Sequence, residues 1–220
     1  QFAKKHGLLF VVDNTFMTPY FQRPLTLGAD IVVHSGTKYL CGHNDVIAGI
    51  VVVNSPELAE HFRLQLKTRG NGLAPFDSWL ILRGLKTLSL RMRKHDENAQ
   101  KVAHWLRGHE KVKKVYYVGF EDHPGYEVNR KQSTGFGGMI SFTLDRPETV
   151  RKLLSGVNMI LFAESLGGTE TLITYPLTQT HESIPADIRE KLGINECFVR
   201  ISVGIEHVDD IIADLEQALA

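Results

Sequence analysis

Short apolar runs that alternate with helical patterns constrain the fold of this chain more than any other feature of its sequence. Residues 8–12, LLFVV, form a continuous apolar run, which predicts a strand buried on both faces. Two further runs follow at 31–33 and 47–53. Ser55, followed by proline, has the residue type of a helix N-cap, and a helix is predicted over 57–67. Strands that alternate with helices predict an α/β sheet.

The second half of the chain has a different pattern. A long helical pattern runs over 77–107 and ends at Gly108, and Gly84 within it predicts a break or a close packing contact. The elements that follow predict a separate, small α+β domain, and a boundary inside the long helix gives domains at 1–88 and 89–220. The elements predicted for the second domain are strands at 139–144 and 198–203 and helices at 147–154 and 208–219.

The composition argues against several classes of partner. Lys plus Arg and Asp plus Glu each number 25, so the charge gives no electrostatic reason to expect nucleic acid or an acidic membrane. The longest apolar runs have the length of strands, so no membrane span is predicted. Two cysteines, Cys41 and Cys197, are too few for a disulfide scaffold, which favours a reducing compartment, and we expect a cytoplasmic location.

Polar residues follow the first two apolar runs at the points where the strands should end. Asp13 follows the first run, and the segment His34-Ser35-Gly36-Thr37-Lys38 follows the second. Ligands of open α/β sheets bind beyond the carboxyl ends of the strands, so a carboxylate and a lysine could share one pocket there. The hydroxyls and the amine of this segment suit a phosphate, although an ordinary surface turn explains the same residues, and the spacing of a Walker loop is absent.

A metal site would have to use His34, His43 and Asp45. Their spacing fits no strong pattern of metal ligands, and we predict no metal.

Five stretches of the chain closely resemble one family of enzymes. They are VVDNT, VVHSGTKYLCGHNDVIAG, PFDSWLILRGLKTLSLRM, FAESLGGTETLITYPLTQTH and VRISVGIEHVDDIIADLEQAL. In this order they resemble the trans-sulfuration family of pyridoxal 5'-phosphate (PLP) enzymes, and the resemblance covers nearly the whole chain. It implies an α/β fold of the type I, aspartate-aminotransferase-like PLP class. Residues 1–88 would be the end of the large PLP-binding domain, and 89–220 would be the small C-terminal domain.

The resemblance also implies roles for the strand-end residues. Lys38 would bind PLP covalently and later move protons between substrate carbons. Asp13 would pair with the pyridine nitrogen, since an ionised carboxylate keeps that nitrogen protonated and makes the ring a better electron sink. Ser35 and Thr37 would hold the phosphate of the cofactor.

Four residues of the second half would contact the substrate by the same resemblance. Arg200 matches the arginine that binds the substrate α-carboxylate, which a planar guanidinium does bidentately. Ser165 and Thr180 match positions that line the same end of the substrate. Glu164 matches a position that is acidic in cystathionine γ-synthases and γ-lyases, where a carboxylate can meet the distal ammonium of cystathionine. Without the resemblance, an ion pair would be the preferred explanation of Arg200.

Part of the site expected in this family is not in the chain. A phosphate loop, the tyrosine that stacks on PLP, and a tyrosine and an arginine from the neighbouring subunit are expected upstream. The opening residues resemble the end of a helix with Gly7 after it, which predicts a fragment with about half a site and no activity by itself. The full-length protein is expected to be a homotetramer built from dimers.

The function that the resemblance favours is γ-replacement on an O-acylhomoserine, with cysteine or sulfide, giving cystathionine or homocysteine. A cystathionine γ- or β-lyase that cleaves a C–S bond is the main alternative. A non-catalytic relative or an assembly fragment is the alternative of another class. The joint presence of Lys38, Asp13 and Arg200 argues against a decayed site.

Overall fold

The computed structural model describes residues 2–220 as two compact units. The first unit extends to Ser89 and also includes Val128–Gly135, and the second consists of Leu90–Glu127 and Phe136–Ala220. A single boundary near residue 88 describes the first division between the units but not the segment Val128–Gly135, which belongs to the first unit. The assignment of the two units to a large and a small domain stays a prediction.

The first unit contains a three-stranded sheet with the order β1-β2-β3. Strands β1 and β2 are parallel, with Asp13 opposite Val33, and β2 and β3 are antiparallel, with Ser35 opposite Gly49. The carboxyl ends of β1 and β2 therefore lie side by side at one edge of the sheet, as the sequence predicts. The strands are β1 (Val11–Asp13), β2 (Ile31–Ser35) and β3 (Gly49–Val53).

The helices of the first unit follow local signals in the sequence. Ser55 is an N-cap, as predicted, and its Oγ accepts a hydrogen bond of 3.2 Å from the N–H of Leu58. The long helix predicted over 77–107 is divided at residues 86–87, directly after Gly84 and Leu85, so a break does occur here. A Cβ on Gly84 would also lie 3.0 Å from the carbonyl carbon of Cys41, so the close packing contact is present as well. The helices are α1 (Phe2–Lys5), α2 (Thr18–Phe21), α3 (Pro56–Arg69) and α4 (Pro75–Leu85), followed by α5 (Leu88–Gly108), which continues into the second unit.

The prediction that residues 8–12 are buried on both faces is wrong for the described chain. Leu8 is 55% exposed and Leu9 is 61% exposed, and β1 begins only at Val11. The physical reason is that burial of both faces requires elements packed above and below the strand, whereas the main contacts of β1 within the described residues are with its neighbour β2.

The second unit contains a five-stranded sheet with the order β4-β5-β8-β7-β6. The central pairs β4–β5, β5–β8 and β8–β7 are antiparallel, and β6 and β7 are parallel. The strands and helices predicted for this half are confirmed. The elements of this unit are β4 (Val112–Tyr116), β5 (Met139–Leu144), α7 (Pro147–Gly156), β6 (Leu161–Phe162), β7 (Leu172–Thr174), α8 (Ala186–Lys191), β8 (Phe198–Ser202) and α9 (Val208–Leu219). Helix α6 (Tyr126–Gln132) begins in this unit and continues into the segment that belongs to the first unit.

The core of the second unit lies between the sheet and three helices. Phe142 and Ile201 of the central strands are fully buried, as are Leu106 of α5, Leu153 of α7 and Leu215 of α9. Burial of an apolar side chain of this size stabilises a fold by roughly 1.5–3 kcal/mol. The strands β7 and β8 are thus packed on this buried core, and the core fixes where the loops at their ends begin.

Within residues 2–220, the helices are all too short or too polar to cross a membrane. The same part of the chain has no cluster of three or more His, Cys, Asp or Glu side chains that could hold a metal ion.

Candidate active site

The turn after β1 is tied to the end of β2 through Thr15. The backbone N–H of Thr15 donates a hydrogen bond of 2.9 Å to Oδ1 of Asp13. Its Oγ1 accepts one of 2.8 Å from the N–H of Ser35. Thr15 is buried and Asp13 is exposed. One residue therefore fixes both the carboxylate of Asp13 and the backbone of Ser35.

Lys38 lies in a widened helical turn, Gly36–Leu40, that begins directly after β2. Its backbone is not helical, with φ −90° and ψ −134°. The turn is closed by hydrogen bonds from the N–H of Cys41 to the carbonyl of Gly36, 3.1 Å, and from the N–H of Gly42 to the carbonyl of Lys38, 2.8 Å. The lysine is half-buried and begins at the same sheet edge as the turn that carries Asp13.

The hydroxyl residues of this segment differ in their environment. Thr37 Oγ1 accepts a hydrogen bond of 2.9 Å from the N–H of Ala48. The N–H of Gly36 donates one of 2.8 Å to the carbonyl of Ala48. Ser35 is the last residue of β2 and is half-buried. The prediction that His34 and Ser35 lie in a loop is therefore wrong, because their pairing with β3 extends the strand as far as Ser35.

The three residues considered for a metal do not form a site. His34 is buried, which lowers the pKa of its ring, and the charge of Asp13 opposes this shift only in part. His43 Nδ1 lies 2.8 Å from the carbonyl oxygen of Cys41, and the thiol of Cys41 donates to Oδ1 of Asp45 at 3.2 Å. Among the described residues these groups are engaged locally and do not converge.

The groups at this edge fit PLP in their chemistry. An accessible carboxylate, Asp13, and an amine, Lys38, extend from neighbouring strand ends, and the hydroxyl residues Ser35 and Thr37 lie between them in the chain. A pyridinium nitrogen, an aldehyde carbon and a phosphate require a carboxylate, an amine and hydrogen-bond donors. Each required type of group is present in the first unit.

The second unit places Arg200 on β8 beside β7. Its Nη2 donates to the carbonyl of Ser165 at 3.3 Å and to Oγ1 of Thr174 at 3.4 Å. Thr174 is the residue opposite Arg200 in the β7–β8 pair. Ser165 has a φ of +92°, which a non-glycine residue rarely adopts, and such strain persists only where the surrounding structure imposes it.

The remaining predicted substrate residues lie in loops of the second unit. Glu164 is exposed and immediately precedes Ser165. Thr180 is exposed, and its Oγ1 lies 2.8 Å from Nδ1 of His181.

Sequence reasoning missed two residues of the candidate site. Thr15 could have been recognised, since Asp-x-Thr after a strand favours a turn in which the Asp side chain accepts the Thr N–H. Thr174 gave no local signal, because its contact with Arg200 depends on the register of two strands.

Comparisons with known proteins place the chain in one family. The family model described as Cys/Met metabolism PLP-dependent enzyme matches residues 1–220. Cystathionine gamma-lyase of Bacillus subtilis (strain 168) is 52% identical over 217 residues, which are 99% of this chain and 57% of that protein. Cystathionine beta-lyase of Lactococcus lactis subsp. cremoris (strain MG1363) is 50% identical over 217 residues, again 99% of this chain and 57% of that protein.

A solved structure matches equally well. Cystathionine gamma synthase from Xanthomonas oryzae pv. oryzae, in complex with cystathionine, superposes with a TM-score of 0.96 at 45% identity. The match covers 99% of this chain and 56% of that one. The chain therefore spans little more than half the length of the proteins that it matches.

Proposed function

Because this chain belongs to the family of PLP-dependent enzymes of cysteine and methionine metabolism, we propose that the full-length protein exchanges the γ-substituent of an O-acylhomoserine for the sulfur of cysteine or sulfide. The products would be cystathionine or homocysteine. The type I PLP-dependent α/β fold predicted from the sequence is confirmed by the same comparisons. We assign the first unit to the end of the large PLP-binding domain and the second to the small C-terminal domain.

The observation that carries the proposal is the placement of Asp13 and Lys38 at the ends of two neighbouring strands. Parallel pairing of β1 with β2 brings both segments to one edge of the sheet, and Thr15 bonds to both. A non-catalytic relative would have no need of an amine and a carboxylate in this arrangement. The placement of the two residues therefore supports an enzyme.

The cofactor, when bound, supplies an electron sink for negative charge that develops at the substrate Cα. Asp13 holds the proton on the pyridine nitrogen, which strengthens that sink. Lys38, in its neutral form, would take the Cα proton and deliver it to another atom, and the amine, neutral again, would then take a Cβ proton. Loss of the Cβ proton would allow the γ-substituent to leave. Ser35 and Thr37 hold the phosphate and so fix the cofactor against the sheet edge.

The substrate would be held by residues of the second unit. Arg200 presents a guanidinium to the α-carboxylate, and Ser165 and Thr180 line the same end. The exposed carboxylate of Glu164 attracts the distal ammonium of cystathionine or of incoming cysteine, which sulfide lacks.

Two reactions, γ-replacement and cleavage of cystathionine, are candidates for the specific function of the full-length protein. The match to a cystathionine gamma synthase in complex with cystathionine supports γ-replacement. The matches to a gamma-lyase and a beta-lyase support cleavage of cystathionine as the second candidate.

We further propose that the full-length protein is a homotetramer, a state that light scattering after size-exclusion chromatography would measure.

The first prediction concerns covalent attachment of the cofactor. Borohydride reduction of the full-length protein, followed by peptide mapping, should place a pyridoxyl group on Lys38. Lys38→Ala should remove nearly all turnover because the proton carrier is lost. Lys86→Ala, in the same unit, is the control and should keep its label on Lys38. A pyridoxyl group on another lysine would contradict the assignment.

The second prediction separates the synthase from the lyase. The full-length enzyme should form cystathionine rapidly from O-acetylhomoserine and cysteine, and should cleave cystathionine slowly. Glu164→Ala should impair the reaction with cysteine more than the reaction with sulfide, since sulfide carries no ammonium. Rapid release of cysteine or homocysteine from cystathionine, without use of the acetyl ester, would instead establish the lyase.

A further inference from the structure

The position of the Arg200 guanidinium depends on a loop, not only on its own strand. Nη2 of Arg200 donates to the carbonyl of Ser165, at 3.3 Å. Ser165 has its strained φ of +92° in the segment between β6 and β7. A shift of this segment would move an acceptor of Arg200, so the groups that hold the segment also set the arginine.

A network of hydrogen bonds between buried and half-buried groups holds the segment against the end of β8. Thr171 Oγ1 donates to Oε2 of Glu206 at 2.9 Å and accepts from the N–H of Gly204 at 2.9 Å. The N–H of Thr171 donates to Oε1 of Glu206 at 2.5 Å. Two further bonds join the same parts of the chain, from the N–H of Gly167 to Ser202 Oγ and from the N–H of Ile205 to the carbonyl of Thr169.

Helix α5 holds the end of β8 from another side. Asn98 Nδ2 donates to the carbonyls of Gly204, at 3.0 Å, and Glu206, at 2.9 Å. His95 Nδ1 donates to the carbonyl of Val203 at 2.7 Å. Burial lowers the pKa of His95 to about 4, so the ring is neutral near pH 7 and keeps this donor without a buried charge.

The network leaves no room for adjustment at its centre. A Cβ on Gly204 would lie 2.6 Å from the backbone nitrogen of Thr171 and would also overlap Oε2 of Glu206. Thr171 is fully buried, so the loss of its hydroxyl could not be compensated by bulk water.

We propose that Thr171 and Glu206 are positioning residues that set the Arg200 guanidinium for the α-carboxylate of the substrate. Neither residue has to touch the substrate: they fix the Ser165–Thr171 segment on the end of β8, and the carbonyl of Ser165 then fixes Arg200. This inference rests on the proposed role of Arg200 in carboxylate binding.

The test measures binding of glycine and of glycinamide to the full-length, PLP-loaded protein by the change in cofactor absorbance. Thr171→Val keeps the shape of the side chain and removes both hydroxyl bonds. It should raise the Kd of glycine about tenfold, as expected for loss of a buried hydrogen bond that aligns a charged one, and change that of glycinamide little. Thr171→Ser should restore glycine binding, and Glu206→Gln should weaken it in the same direction.

Two further comparisons make the test specific. Thr149→Val is the matched control, since Thr149 of α7 is also buried and donates to a carboxylate, Oδ1 of Asp145, at 2.6 Å, outside this network. In a double-mutant cycle with Arg200→Lys, the effect of Thr171→Val on glycine binding should largely disappear, because the group that it positions has gone. Hydrogen exchange of 165–171 should accelerate in Thr171→Val and not in Thr149→Val.

The possible failures are distinguishable. If Arg200→Lys leaves the Kd of glycine unchanged, the proposed carboxylate role of Arg200 is wrong. If Arg200→Lys weakens glycine binding and Thr171→Val accelerates exchange or lowers the Tm without changing the Kd of glycine, the network is only structural and the inference is overturned. If Thr171→Val does not fold, unchanged glycine binding in Glu206→Gln overturns it instead.

Discussion

At the scale of single residues, Thr15 connects the two groups on which the proposed chemistry depends. Its N–H bonds to the carboxylate of Asp13 and its hydroxyl accepts the N–H of Ser35, so it joins the turn after β1 to the strand that leads to Lys38. A carboxylate held by one N–H is oriented and still has lone pairs for a cationic partner. A carboxylate that pairs with the pyridine nitrogen of the cofactor needs both properties.

Asp13→Asn should therefore slow removal of the substrate Cα proton in the full-length protein without disturbing the fold. The amide oxygen can still accept the N–H of Thr15, but the negative charge is lost. The rate of this step should fall about tenfold for each roughly 1.4 kcal/mol of transition-state stabilisation that the charge provides. Exchange of the Cα proton with deuterated solvent, followed by NMR, measures this step.

Asp30→Asn provides the matched control for this prediction. Oδ2 of Asp30 also accepts a backbone N–H, that of Phe10, at 2.8 Å in the same unit. This substitution should leave the exchange rate close to that of the unchanged protein. A nearly normal rate in Asp13→Asn would assign that residue a structural role only.

The sequence predicted single residues well where the signal was local. Asp13 and Lys38 were identified as strand-end residues from short patterns alone, whereas Arg200 could be assigned a role only through the family resemblance. The contact of Arg200 with Thr174 depends on strand register, and that with Ser165 depends on an unusual φ. Neither property is encoded in a few neighbouring residues.

At the scale of secondary structure elements, the sequence predicted type better than environment. The start of α3 was clear from Ser55, since a cap is a local interaction. The burial of residues 8–12 was predicted wrongly, because burial depends on which elements pack nearby. The grouping of Val128–Gly135 with the first unit could not be predicted from the sequence either, because it results from long-range contacts.

The connection between α7 and β6 is held by a single carboxylate on α9. Asp214 accepts the N–H groups of Asn158, Met159 and Ile160 at 2.8–2.9 Å. Burial alone would raise the pKa of Asp214, but these three N–H groups outweigh it and lower the pKa. The ionised form is thus favoured in the folded state, so its stabilisation is present above the unfolded pKa of about 3.9 and is lost as the pH falls through the folded value.

Asp214→Asn should lower the Tm of the full-length protein at pH 7 and accelerate hydrogen exchange at 158–160. A loss of about 1–3 kcal/mol is expected when such an acceptor loses its charge. The difference in Tm from the unchanged protein should begin to shrink as the pH falls below about 4, where the unfolded carboxyl becomes protonated, and should be lost at the lower pH at which the native carboxylate is also neutral. Asp210→Asn, an exposed carboxylate on the same helix, is the control. A difference that stays constant down to pH 2 would contradict the role of ionisation.

At the scale of the whole molecule, the first unit presents apolar surface that a stable domain would normally cover. The chain spans 57% of the length of the Bacillus subtilis relative. Residues 8–11 and two neighbouring valines of β3 have exposed side chains, and β1 lies at the end of its sheet. Exposed apolar surface beside a strand edge promotes association. The large exposed side chains here are Leu8, Leu9, Phe10, Val11, Val51 and Val52.

The 220 residues expressed alone should therefore associate without a defined stoichiometry and hold PLP weakly, whereas protein of the relatives' length should form the proposed tetramer and hold PLP tightly. Leu9→Ser combined with Val51→Ser should reduce the association, since both substitutions remove exposed apolar side chains from this surface. Leu192→Ser changes an equally exposed leucine of the second unit and should have little effect. Sedimentation velocity at several concentrations measures the association, and equilibrium dialysis measures the PLP. Monomeric 220-residue protein with one tightly bound PLP per chain would show that the chain by itself completes both the surface and the site.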